Sequence, residues 1–328
     1  MTRYVRNSAV LAKVETTYGT DASPTGASNA ILVSNLSINP LNAQNVSRDL
    51  IRPYFGGSEQ LIGSASVELS FDVEYQSSGT AGTVAKWDEL LQACGFATGS
   101  TQTTPSRVEH AFVTDYSLLK SVTIYYHDDG LLKKLLGARG NMSIKHGVGE
   151  KPVFSFRFVG LDGGETATAN PSTTLTGFKT PLVVTDTNTG ALTLGCTYAT
   201  GALSGGTEYI SSGLQIDFGN SVQFTDLLGT ATASGQTVDL TQRDMSGSVE
   251  LDLTAAQEVT QMTNVKANTT QSIGLVHGTT AGYKMLIFMP SVQLVNPKKI
   301  DKNGRRMIGF DLRILPSAGN DDIKIVAL

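Results

Sequence analysis

Gly63-Ser-Ala-Ser-Val-Glu-Leu-Ser-Phe-Asp-Val-Glu-Tyr75 alternates without a break. Ala65, Val67, Leu69, Phe71 and Val73 fall on one side. Ser66, Glu68, Ser70, Asp72 and Glu74 fall on the other. A period of two over this length is a β-strand with one dry face and one wet, acidic face. Part of the stretch returns as Gly247-Ser-Val-Glu-Leu251. Neighbouring pieces return in the same order. Ser121-Val-Thr-Ile-Tyr-Tyr-His-Asp-Asp-Gly130 leads to Phe154-Ser-Phe-Arg-Phe158, and Ser272-Ile-Gly-Leu-Val-His277 leads to Phe310-Asp-Leu-Arg-Ile314. A period of roughly 150–180 residues is too long for a solenoid or propeller unit. It reads as two copies of one β-domain.

The chain has 328 residues, enough for two domains with cores of their own. Charged residues make up only 16%, and glycine is abundant at 34. That mix suits strands joined by turns better than long surface helices. The net charge is −4 and no Lys/Arg-rich run occurs, so tight binding to a nucleic-acid backbone is not expected. Residues 1–20 lack the apolar run of a signal peptide, and no uninterrupted apolar stretch reaches the length of a membrane span. Cys94 and Cys196 lie in different halves and read as two free thiols in a reducing cytosol.

Along the first half the pattern predicts a strand at 31–38, a long loop at 39–61 and the strand quoted above. A helix follows from Thr83, with Val84, Trp87, Leu90, Leu91 and Cys94 on one face and Gly95 as its stop. Two hairpins complete the half, 121–136 and 141–159. The second half repeats this order: a strand at 214–218, a loop at 219–237, a strand at 248–253, a helix at 255–265 and two hairpins. In that helix Val259, Met262 and Val265 share a face. The expected division is a first domain at 1–164, a linker at 165–181 and a second domain at 182–328.

Catalytic signatures are missing. No G-x-S-x-G, G-x-x-x-x-G-K or G-x-G-x-x-G occurs. His110, His127, His146 and His277 are dispersed, without metal-ligand spacing, and His127 and His146 read as turn-edge residues. Asp301-Lys-Asn303-Gly304 and Asp186-Thr-Asn188 use the oxygen-rich vocabulary of calcium loops but lack the downstream glutamate, so they read as turns. No enzyme, cofactor or metal is expected. The loop at 39–61 is different. Leu50, Ile51, Tyr54 and Phe55 are too apolar for a free surface loop, so they either fold back on their own core or bury on a neighbouring subunit.

Glu15-Thr-Thr-Tyr-Gly-Thr-Asp21, with Pro24 behind it, resembles the N-terminal motif of phage tail tube (major tail) proteins. The resemblance continues through Ile38-Asn-Pro-Leu-Asn-Ala-Gln-Asn-Val46, Arg52-Pro-Tyr54, the Trp87 helix, and Gly137-Ala-Arg-Gly140 to Gly160-Leu-Asp-Gly-Gly164. The second half, with Asp217-Phe-Gly-Asn220 and Ser246-Gly-Ser-Val-Glu250, is similar more loosely.

The resemblance implies a mainly β fold of two tandem β-sandwich or barrel domains, each flanked by one helix. It further implies a ring with a continuous inner β-barrel, stacked into a DNA-conducting tube of the virion. Such subunits are made in the host bacterial cytoplasm and meet tape-measure, tail-tip and terminator proteins, with no membrane involved. Most such rings contain six one-domain subunits, so a duplicated chain favours a trimer over a hexamer. On this reading Leu50, Ile51, Tyr54 and Phe55 stack rings, and Glu68, Asp72, Glu74, Glu250 and Asp252 are candidates for an acidic lumen wall. The pattern leaves open which sheet face turns inward. The competing reading is a β-sandwich binding module of a tail fibre or adhesin, recognising glycan or protein.

Overall fold

A computed structural model describes residues 2–230 and 234–328. The first half contains β1 (Ser8–Val14), a short α1 (Gly26–Asn29), β2 (Ala30–Ile31), β3 (Ser34–Ser47) and β4 (Gln60–Glu74). Then come α2 (Asp88–Ala93), β5 (Ser100–Thr103), β6 (Ser106–His110), β7 (Val122–Asp128), β8 (Leu131–Gly147) and β9 (Val153–Ala167). The second half opens with β10 (Leu192–Leu194), β11 (Thr197–Ala199), β12 (Ala202–Ser204), β13 (Thr207–Asp217), β14 (Asn220–Asp226) and β15 (Gln236–Arg243). It closes with β16 (Ser246–Asp252), α3 (Ala255–Lys266), β17 (Thr270–His277), β18 (Met285–Lys302), β19 (Arg305–Leu315) and β20 (Lys324–Ala327). The fold is mainly β, as the alternating sequence predicts.

The two halves pair their strands in one order. In the first, β1 pairs β7, β7 pairs β8, β8 pairs β9, and β9 pairs β4. β4 pairs β3, whose upstream neighbour β2 returns to β1. In the second, β10, β17, β18, β19, β16 and β13 follow the same circuit, and β13 returns to β10. The sequence echo is therefore a register echo. Val67, Glu68 and Leu69 face Gly160, Val159 and Phe158, while Val249, Glu250 and Leu251 face Phe310, Gly309 and Ile308.

The circuits are fused edge to edge, because the end of β8 pairs β13 from Ser143↔Asp217 to Gly147↔Gly213. One ladder row runs across seven strands as Val73, Phe154, Ile144, Ile216, Gly247, Leu312 and Leu294. All are buried except the half-buried Gly247. The adjacent row runs Asp72, Ser155, Ser143, Asp217, Ser246, Arg313 and Gln293, and every member reaches solvent. A residue period of two thus gives one continuous sheet with a dry and a wet face spanning both halves. Beneath it, Phe71, Phe154, Phe156 and Phe158 form one aromatic stack, and Trp87 donates its indole N–H to the Gln76 carbonyl at 2.7 Å. Burying each such ring contributes about 2–3 kcal/mol.

Several sequence expectations need correction. The loops at 39–61 and 219–237 are mostly hairpin: β3 and β4 extend to Ser47 and Gln60, and β14 pairs β15. Residues 231–233 of the second lie outside the described residues. Polar alternation in Asn42–Val46 hides strand character when neither face is buried in the chain itself. The first helix spans only Asp88–Ala93, although Gly95 follows with φ +96°. In α3 it is Gln261 that is buried, held by the Tyr209 hydroxyl at 2.9 Å, while Val259 is exposed. All four histidines are buried, and His127 and His146 stand one residue before the ends of β7 and β8, beside the turns that follow. Asp301 accepts from the Gly304 N–H at 2.9 Å, an ordinary turn. The segment after β9 lies along the first half, where Thr168 and Thr174 donate to Gly130 and Gly26 carbonyls. C-terminal β20 crosses back to pair with β6.

Candidate assembly interface

The motif pieces singled out in the sequence meet where the halves join. Buried Glu15 accepts four hydrogen bonds: from Ser121 Oγ (2.7 Å), Thr123 Oγ1 (2.8 Å), Gly137 N–H (2.8 Å) and Gly19 N–H (2.8 Å). Four donors satisfy a carboxylate that burial would otherwise penalise heavily. The turn they build sets Tyr18 flat against the β8 bulge. Gly137 has φ +58°, and a Cβ there would sit 2.8 Å from the Tyr18 ring, so only glycine fits. The Arg139 guanidinium lies over the Tyr18 ring at 5.1 Å. It also donates to the Val238 carbonyl at 3.0 Å and pairs with Asp239 at 2.6 Å. The Tyr18 hydroxyl accepts from the Val238 N–H. Burial pushes the Tyr18 phenol up, so it stays a neutral acceptor. Burial also raises Asp21, but hydrogen bonds from Tyr125 and Lys134 outweigh it and hold this end of the motif below the usual carboxylate range.

The β14–β15 hairpin is thereby laid across the polar face of β8 and β9, with Val238 fully buried. Asn220 locks its base, donating to Cys94 and Gly140 carbonyls at 2.9 and 3.1 Å. Its N–H reaches Asn141 Oδ1 at 3.0 Å, and Asn141 donates to Asp217 at 2.9 Å. At the far end of the joint a Cβ on Gly213 would meet the His146 carbonyl at 2.3 Å. His146 stacks edge-on to His277 at 4.9 Å. Burial, with repulsion from His277, pushes His146 down to about 3, and burial lowers His277 as well. Both rings are neutral at pH 7.

The β3–β4 hairpin has the same place in its half. Its base is held by β9 and Ser64 donates to Asp226, but among the described residues no strand outside the hairpin pairs its stem beyond Gly63 or its tip. Leu50, Ile51, Tyr54 and Phe55 sit on its tip, Ile51 and Phe55 fully exposed. Val46 and Leu61 face each other on its stem, both half in solvent, and Ile62 is more open. The four tip residues do not fold back on their own core. The tip of the second hairpin also carries an exposed apolar pair, Leu227 and Leu228, which the sequence reading missed. The alternation of Val222-Gln-Phe224 and Val238-Asp-Leu240 was the available signal for strands on either side of that tip.

The five candidate wall carboxylates lie on the wet face with partners beside them. Glu68 accepts from Arg157 at 2.9 Å and Asn42 at 3.0 Å. Asp72 accepts from Asn35 at 2.7 Å, and Glu74 pairs with Lys151 at 3.0 Å. Glu250 accepts from Ser212 at 2.5 Å with Lys302 at 3.9 Å, and Asp252 pairs with Arg305. Four of the five thus stand beside a Lys or Arg, and Asp72 is held by an amide, so the face mixes both signs of charge.

Cys94 and Cys196 are buried free thiols, and burial pushes both up. No helix among the described residues is long and apolar enough to cross a membrane. None of the curated proteins compared matches the chain. Residues 6–323 match the family described as phage tail tube protein, which is a family of virion structural components without a catalytic role. The match covers both circuits and the joint between them, and the chain belongs to the phage tail tube protein family.

Proposed function

We propose that this chain is the major subunit of the tail tube: it polymerises into rings, the rings stack, and DNA passes through the lumen. The observation that carries this reading is the single two-faced sheet running through two circuits of the same strand order. Such a sheet ends in open edges, and closing it on further copies removes them. On this reading the chain comprises a unit at 1–164, a connecting segment at 165–181 and a unit at 182–328. Three chains then supply six wall segments per ring. Tape-measure, tail-tip and terminator proteins are the other partners, and the chain is made in the host cytoplasm.

The wet face lines the lumen. Its carboxylates act chiefly on their own neighbours: Glu68 occupies Arg157 and Asp252 occupies Arg305, so neither guanidinium is left to grip a phosphate. Leu50, Ile51, Tyr54 and Phe55 bury on the next ring. Electron microscopy of the purified chain tests both levels. Rings or tubes about 100 Å wide are expected for six segments around a DNA-wide hole. Replacing residues 50–55 by a Gly/Ser linker should leave single rings that do not stack, with an unchanged Tm. Normal tubes from that variant would overturn the stacking role.

A further inference from the structure

The joint inside the chain is a template for the joint between chains. Among the described residues, β3 pairs only β4, so its other edge is open from Ser34 to Ser47. At the opposite end of the same sheet, β18 pairs β17 only as far as Gln293, so one edge is open from Leu294 to Lys302. These are the two strand types, third and sixth of each circuit, that meet internally as β8 and β13. The chain thus begins and ends on complementary halves of a contact it already makes once.

We infer that β3 of one copy pairs with β18 of a second copy, and that the β3–β4 stem lies across that copy's β18–β19 as the β14–β15 hairpin lies across β8–β9. This rests on the tube reading and names its lateral contact. The internal alignment supplies the register. Both third strands, β8 and β18, carry a bulge at a left-handed residue, Gly137 (φ +58°) and Asn296 (φ +50°), which places Lys298 where Arg139 stands and Lys302 where Ser143 stands. The facing strands place Gln44 where Asp217 stands. Because Asp217 faces Ser143 within the chain, Gln44 should face Lys302 of the second copy.

One departure fits this geometry. The internal joint continues past Ser143 to Gly147 and needs Gly213 there, whereas β3 in the same register has Pro40 at that position. β18 turns back at Lys302↔Arg305 and has no counterpart of 144–147, so no backbone approaches Pro40 and neither a glycine nor a free N–H is required there. Val46 and Leu61, which face each other and are about half exposed in the single chain, become the buried side of the stem, in the role that Val238 fills internally, and Ile62 lies on its other face. The contact is head-to-tail, so it closes into a ring or extends as a filament.

The test is a double variant, Gln44→Cys with Lys302→Cys, in a chain whose two native thiols are buried. Facing residues of an antiparallel pair lie within disulfide reach. Assembled under mild oxidant, the double variant should run as covalent multimers on a denaturing gel, and either single variant should not. Rings or tubes seen by microscopy but without multimers would overturn this joint and leave the tube reading standing. A chain that neither assembles nor cross-links at high concentration would overturn both.

Discussion

Two hairpins hold the same place in the two halves and meet different fates. The β14–β15 hairpin is docked within the chain, with Val238 buried, Asn220 pinned by two carbonyls and Arg139 reaching across to its backbone. The β3–β4 hairpin projects with Val46, Leu61, Ile51 and Phe55 in water. The same kind of element is buried in one half and exposed in the other, and on the proposed assembly that exposure belongs to the isolated chain. An apolar, strand-edged arm left open is an association surface or an aggregation hazard. On the inferred joint between copies, the second half supplies the partner surface for the first of these.

A matched pair of substitutions breaks the comparison most sharply. Val238→Asp places a carboxylate in the closed joint and should destabilise the chain by about 3–5 kcal/mol. Val46→Asp, in the open stem, should change monomer stability by less than about 0.5 kcal/mol yet abolish association. Denaturant unfolding gives the first quantity and sedimentation the second. Equal stability losses in the two variants would remove the distinction between docked and open arms.

Acid should loosen the docked side. His146 lies in the joint opposite Leu214, packs on His277 and Tyr75, and is held far below the ordinary histidine range, while Thr189 occupies the other His277 nitrogen at 2.9 Å. The folded chain therefore binds fewer protons than the unfolded chain between about pH 6.5 and 3. Stability from this site is present above about pH 6.5 and is lost as pH falls toward 3. From pH 7 to pH 5 one such histidine contributes a loss of about 2 kcal/mol. His146→Phe should flatten that slope in urea melts across this range, and an unchanged slope would exclude the pair as its source.

The smallest effect concerns the wet face. Glu68→Gln should alter stability by no more than about 0.5 kcal/mol, since the Arg157 pair is solvent-exposed. Tubes of this variant should nevertheless retain DNA more strongly at low salt than at high salt, because Arg157 is released. Unchanged retention would mean that this face does not meet the DNA.

The parts of this structure legible in the sequence were those whose pattern is local. Period-two alternation at 64–75 located β4, and the Val-Glu-Leu echo located its register-equivalent β16. The joint was only half legible. Glu15, Gly137, Arg139 and Asn220 stood in motifs noted from the sequence, but their convergence depends on contacts spanning more than a hundred residues, such as Glu15 with Gly137. The two hairpin arms were read as loops because a strand whose faces bury on another body lacks the alternation that marks a strand packed on its own core. The exposed Leu227 and Leu228 are hard to read from sequence, because the segment around them is rich in small residues and lacks an aromatic pair like Tyr54 and Phe55.

The most direct test of the central claim is the number of chains per ring, measured by mass spectrometry of intact rings or by end-on microscopy of tubes. Two equivalent wall segments per chain predict three chains, with six lobes around the lumen alternating in pairs. Six chains per ring, with the second half lying outside the wall, would contradict it.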